Sequence, residues 1–373
     1  MSLFMAITIS LSLWTNFAKA VPIPGTHVLA PEVNVSDVYA HWPTYDQLPL
    51  NPSFPTKAAW GVWGPDDELG TLNHITPETI KAALAEVREG IAISLNLDLD
   101  VPHPPLFPTR TPLVHTFLAQ TGFQDDIVTI NTQISTQYDG LRHFPYSTNG
   151  NISTYRKVFS QFYNDLLTFD EIFSGEGVKT LGIQNAANKG IAGRAVLLDW
   201  AGWMESKNAT FDVFSPMNIT ADELDAVAEW QGMNSSSFTR PGDFLIIRTG
   251  FGKEYAALPV HEQLVLPFRE NSTFLGVETS EKTLAWIWEK KLALVGADNV
   301  GFEVFPFDSS VRDGRSLHEV FLSGWGQSIV ELLDLEELSE NCHRLSKFTF
   351  FFTIQLLNVA GGVASPANTL AIL

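Results

Sequence analysis

Residues 281–300, EKTLAWIWEKKLALVGADNV, place two kinds of element back to back. Between Thr279 and Lys291, the residues Leu284, Ile287 and Trp288 recur at helical spacing and form one apolar stripe. Leu292 to Ala297 is then a continuous β-rich run, apolar on both faces and followed by Asp298. A helix stripe needs a sheet to cover it, and a strand apolar on both faces needs cover on each side.

The same alternation extends in both directions. Thr220 to Gly232 carries a stripe of Leu224, Val227 and Ala228. Thr76 is a helix N-cap with Pro77 at the first helical position, Ile80, Ala83, Leu84 and Val87 form one face, and Gly90 stops the helix. Further strands are expected at Arg194 to Trp200, Phe244 to Thr249 and Phe348 to Val359. The fold class is therefore mixed α/β, with a sheet buried on both sides. No internal repeat, low-complexity linker or charge block divides it, so one compact domain is expected over residues 56–373, after a Pro-rich lead at 21–55.

The chain has 373 residues and a formal net charge of −19, with no cluster of Lys and Arg, which argues against a nucleic-acid partner. Its one cysteine, Cys342, excludes an intramolecular disulfide and a cysteine-built zinc cage, and fits a buried apolar filler. Residues 1–20 are an apolar run ending Ala18-Lys19-Ala20, the pattern of a cleaved signal peptide, and too short to span a bilayer stably. Glycosylation sequons begin at Asn34, Asn151, Asn208, Asn218, Asn234 and Asn271, whereas Pro52 disqualifies Asn51. A secreted or secretory-lumen glycoprotein without a membrane anchor is expected.

The polar chemistry concentrates at QISTQYDGLRH, residues 133–143. In an extended strand Gln133, Ser135, Gln137 and Asp139 share one face. Such a face fits either the wall of a polar pocket or a solvent-facing edge strand. Gly140 is expected to bend the backbone between Asp139 and His143. Arg142 either clamps a substrate carboxylate or pairs with a neighbouring acid. His318 and Glu331 stand in a strongly apolar segment; taken singly, they read as a core histidine and a helix-surface carboxylate. His74 and His115 read as structural or surface imidazoles, and Asp298 and Glu303 as residues that fix a loop beneath the site.

Several blocks follow one another in the order of a known family: WGPDDELGTLNHITPETIKAA, DGLRHF, GIAGRAVLLDW, RPGDFLIIRTGF, VGADNVGFEVFP, LHEVFLSGWGQSIVELLDLEEL and LLNVAGGVASP. On these the chain resembles the putative cyclase family, which includes bacterial-type kynurenine formamidase of tryptophan catabolism and related metal-dependent amidohydrolases. The resemblance implies the swivelling β/β/α fold, a homo-oligomer, and hydrolysis of a C–N bond in a linear amide (arylformamidase-like chemistry) or of an ester or lactone. A cyclisation or dehydration in secondary metabolism, or a non-catalytic small-molecule-binding protein, are its alternatives.

The family signature H-x-G-T-H-x-D-x-P-x-H reads Q-I-S-T-Q-Y-D-G-L-R-H here. By that register Asp139 takes the place of the metal-bridging carboxylate and His143 that of the acid/base histidine. Gln133 and Gln137 stand where two liganding histidines would be, and are expected to orient substrate or, as the alternative, to form amide hydrogen bonds that support the loop. His318 and Glu331 match the remaining ligands if one residue is inserted near Gly324 to Gln327. A single divalent ion, Zn²⁺ or Mn²⁺, held by Asp139, His318 and Glu331 is therefore expected, with the second site lost.

Overall fold

A computed structural model of the chain describes residues 35–147, 160–174, 179–306 and 315–373. The expected signal peptide, Asn34 and Asn151 lie outside the described residues. Val35–Leu373 form one compact unit. Tyr45 and Leu48, from the Pro-rich lead, are buried in its core.

The centre is a nine-stranded sheet. Its strands are β1 (Ala92–Ser94), β2 (Gln137–Asp139), β3 (Ile191–Asp199), β4 (Phe244–Arg248), β5 (Leu294–Ala297), β6 (Ser328–Glu331), β7 (Thr349–Ile354), β8 (Ala364–Pro366) and β9 (Thr369–Ile372). They run in the order β1-β9-β7-β3-β4-β5-β6-β2-β8. The four strands β3 to β6 are parallel to one another, and the strands outside them add antiparallel. Side chains alternate across each parallel strand, so Val196, Leu198, Leu245, Ile247 and Val295 join one core while Ala195, Leu197, Phe244, Ile246 and Leu294 join the other.

Helices cover the two faces as their stripes require. Helices α2 (Ala221–Trp230) and α3 (Glu281–Glu289) bury Leu224, Val227, Leu284, Ile287 and Trp288 in the first core. The last long helix, α4 (Glu336–Leu345), buries Leu338 and Cys342 in the second, where Cys342 is the apolar filler expected. Between α1 (Pro77–Ala83) and its expected stop at Gly90 the structure departs from the sequence pattern. After Ala83 the chain tightens to a 3₁₀ turn over Leu84–Glu86, whose 120° step rotates later side chains off the buried stripe, and Leu84 and Val87 are exposed. The expected strand Phe348 to Val359 stops at Ile354, and Leu357 and Val359 face solvent.

The far end of β3 is tied down by a buried polar network. Asp199 accepts from Arg248 Nη1 (2.8 Å), Ser339 Oγ (2.8 Å), Gly202 N (2.9 Å) and His343 Nε2 (2.7 Å). Burial alone would raise its pKa, but these donors outweigh that and hold it well below the ordinary carboxylate range. A depressed folded pKa gives stability that is present above the unfolded value near 3.9 and lost as pH falls through the folded one. Asp199→Asn is expected to cost about 3 kcal/mol at pH 7, and the gap to the wild type should narrow below about pH 4. Urea melts at the two pH values check this.

Candidate metal centre

Three buried side chains from distant parts of the chain meet at the β2–β6 seam. Strand β2 pairs antiparallel with β6 so that Gln137 lies opposite Glu331 and Asp139 opposite Ile329. Directly opposed residues share a face, as do residues two apart, so the pleat puts Gln137, Asp139 and Glu331 on one side of the sheet. His318 comes from another direction, at the N-terminus of a π-helix over Glu319–Trp325.

The wider π turn holds one more residue than an α turn would. Its polar backbone is bound by the N-terminal segment: Trp60 Nε1 donates to Ser323 O (2.7 Å), Ala59 N to Gly324 O (2.9 Å) and Thr71 N to Gly326 O (3.1 Å). Gly70 and Gly326 both have positive φ and touch backbone to backbone, and a Cβ on Gly70 would stand 2.2 Å from Gly326 O.

His318 Nε2 lies 3.0 Å from Glu331 Oε1 and 3.6 Å from Asp139 Oδ2. One ligand atom from each of the three residues lies within 4.8 Å of the others. Three such atoms share a centre within about 2.8 Å of each, so small side-chain shifts bring them to the roughly 2.0–2.2 Å of metal–ligand bonds. The other ring nitrogen, Nδ1, is 2.8 Å from Glu303 Oε1. Glu303 is itself fixed by Thr279 Oγ1 (2.6 Å), Leu317 N (2.7 Å) and His318 N (2.9 Å). This carboxylate therefore holds the imidazole with Nδ1 protonated and Nε2 turned to the cluster, the orientation a metal-binding histidine needs. Glu303→Gln is expected to lower metal affinity about 10–100-fold, measured by calorimetric titration.

The electrostatics fit a cation. Asp139 is fully buried, and its Oδ2 finds no hydrogen-bond donor among the described residues. Burial would raise its pKa, yet the charges of His143 and His318 and the Gln133 amide bring it down to about 2. Burial pulls the His318 pKa down, and the nearby carboxylates of Asp139, Glu303 and Glu331 more than reverse this, raising it well above the usual value. An ionised, buried carboxylate oxygen with no donor beside an imidazole and a second carboxylate is a donor set for a divalent ion.

His143 stands at the rim. Its Nε2 is 3.8 Å from Asp139 Oδ2, and its side chain keeps 21% exposure, so it borders both the cluster and solvent. Burial lowers its pKa despite the pull of Asp139. Phe144 covers His318, with ring centroids 5.3 Å apart.

Other expectations change. Residues 133–136 are not a strand; only Gln137–Asp139 pair, because the chain bends ahead of them. The segment is buried and not a solvent-facing edge, and Glu331 lies on a buried strand and not on a helix surface. Gly140 is needed for a close approach, since a Cβ would lie 2.6 Å from Val363 O, and its φ is not positive. The amides of Gln133 and Gln137 donate to Asp139 Oδ1 and Glu331 Oε2. Arg142 places its guanidinium on the carbonyls of Thr180 and Gly361, both at 2.7 Å.

His74 sits buried among Trp42, Trp63 and Tyr39, with Nδ1 2.7 Å from Tyr39 Oη, and His115 pairs with Asp126 on an exposed hairpin. Asp298 fixes a loop through Thr249 and Gly250, as expected. Arg110 was not anticipated. It stacks on Phe107, donates to Gln133 O and Oε1, and its charge is felt by Glu331, Asp139 and His143. A lone arginine in FPTRTP carries no spacing signal that would have marked it.

The profile of the putative cyclase family matches residues 91–304. The chain belongs to that family. The crystal structure of a novel cyclase superposes with a TM-score of 0.70 at 29% identity, covering 85% of this chain and 99% of the other. An isatin hydrolase bound to the product analogue thioisatinate superposes with a TM-score of 0.50 at 12% identity, covering 80% and 99%, and shares the fold. No curated protein sequence matches the chain significantly. The cyclase fold expected from the sequence is thus the fold observed, with Asp139, His318 and Glu331 gathered at one point in it.

Proposed function

We propose that the chain is a secreted, metal-dependent hydrolase of the cyclase family, acting on an amide, ester or lactone carbonyl of a small molecule. The observation that carries this reading is the convergence of Asp139, His318 and Glu331, buried and aimed at a common centre with one carboxylate oxygen left without a donor. Asp139, His318 and Glu331 would hold one Zn²⁺ or Mn²⁺. When bound, such an ion acidifies water and polarises a carbonyl.

The protein's own residues do the rest. Glu303 keeps the His318 ring in place. Phe144 shields one side of that ring from water. His143, at the boundary between the cluster and solvent, hands a proton to the departing nitrogen or oxygen. An arylformamidase-like linear amide is the favoured substrate, and formanilides, aryl esters and lactones are the panel that tests it. Metal-loaded protein that turns over none of these but binds them would favour the non-catalytic alternative.

Secretion and a homo-oligomeric state belong to the same proposal. Asn208, Asn218, Asn234 and Asn271, the sequon asparagines among the described residues, are all exposed, as glycan attachment requires. Among the described residues no helix is long and apolar enough to cross a membrane. Glycosidase-sensitive mass of the secreted chain and its mass by light scattering are the measurements.

A further inference from the structure

The two glutamines are the unexplained part of the cluster. An ionised carboxylate only accepts hydrogen bonds, so an amide against it must present its NH₂. Gln133 Nε2 lies 2.5 Å from Asp139 Oδ1, and Gln137 Nε2 lies 2.5 Å from Glu331 Oε2. The opposite oxygens, Asp139 Oδ2 and Glu331 Oε1, are the ones that face His318. Each carboxylate is thus split, with one oxygen turned to the shared centre and the other covered by an amide.

Both amides are held in that orientation. Gln137 stands directly opposite Glu331 in the β2–β6 register, and its own Oε1 is buried without a donor among the described residues. It gives up one hydrogen bond to keep the other on Glu331. Gln133 is fixed from behind, since Arg110 donates to both its backbone and its side-chain oxygen, leaving the NH₂ to Asp139.

From this geometry we infer that Gln133 and Gln137 are positioning residues that set the number of ions at one. They fix Asp139 and Glu331 as one-oxygen ligands and place the positive end of an N–H at each position where a second ion would have to share a carboxylate. Arg110 completes the arrangement by locking Gln133. The inference rests on the metal reading above.

The test is titration of the chelator-stripped full-length chain with Zn²⁺, and separately with Mn²⁺, with bound metal counted by elemental analysis. The wild type is expected to take one ion per chain. Gln133→Leu and Gln137→Leu should each weaken that ion about 10–100-fold. The double variant Q133H/Q137H, which exchanges both N–H donors for imidazoles able to ligate, should take two ions. Two ions in the wild type would overturn the inference. So would leucine variants of unchanged affinity together with a double variant that still takes one. No uptake by the wild type would overturn the metal reading as well.

Discussion

Chelator-stripped His318→Ala and Asp139→Ala proteins are expected to take up no Zn²⁺ or Mn²⁺ under conditions where the wild type binds one ion, and to hydrolyse no member of the carbonyl panel. Each substitution removes one of three buried ligands. Two groups cannot hold the ion at comparable strength, because catalytic sites of this kind use three protein ligands and leave the remaining positions open. Asp139 carries the sharper diagnosis. It is fully buried, faces His143 and His318 and accepts from the Gln133 amide, so its alanine variant leaves these groups without their carboxylate. The metal-free Asp139→Ala protein should therefore melt below the metal-free wild type, and added metal should not raise its melting temperature. Elemental analysis and thermal melts with and without metal separate the two effects, and full uptake by either variant would remove the basis of the proposed function.

The second large effect is at His143, and its signature is the opposite split. His143→Ala should bind metal with the wild-type stoichiometry while kcat falls by about 10²–10⁴. The ring lies 3.8 Å from Asp139 Oδ2, too far for a hydrogen bond, and His318 with Glu331 completes the ion site without it. Its partly exposed position lets protons reach it from solvent. Loss of uptake in this variant would make His143 a ligand, and unchanged kcat would remove it from the chemistry.

The sheet was readable at Arg194 to Trp200, Phe244 to Thr249 and Leu292 to Ala297 because strands apolar on both faces leave no other packing for their side chains. The helix after Thr76 was readable at its start, where capping is local, and misjudged at its end, where a 3₁₀ turn changes the angle per residue. In the centre, the family signature pointed to Asp139, His318 and Glu331. It could not give the direction of the glutamine amides, which depends on the register of two strands separated by nearly two hundred residues. For the same reason Arg110 was invisible: its role arises from contacts with Gln133 and from nearby charges, and nothing periodic in the sequence records them.

Because Asp139 and Glu331 sit on strands that pair across such a long stretch of chain, the centre is complete only once that loop has closed. A cation therefore has no preassembled cradle in the unfolded chain. Loading should follow folding, and stripping the ion from the mature protein should leave a folded apoprotein that refills, in contrast to zinc fingers, which come apart without their metal.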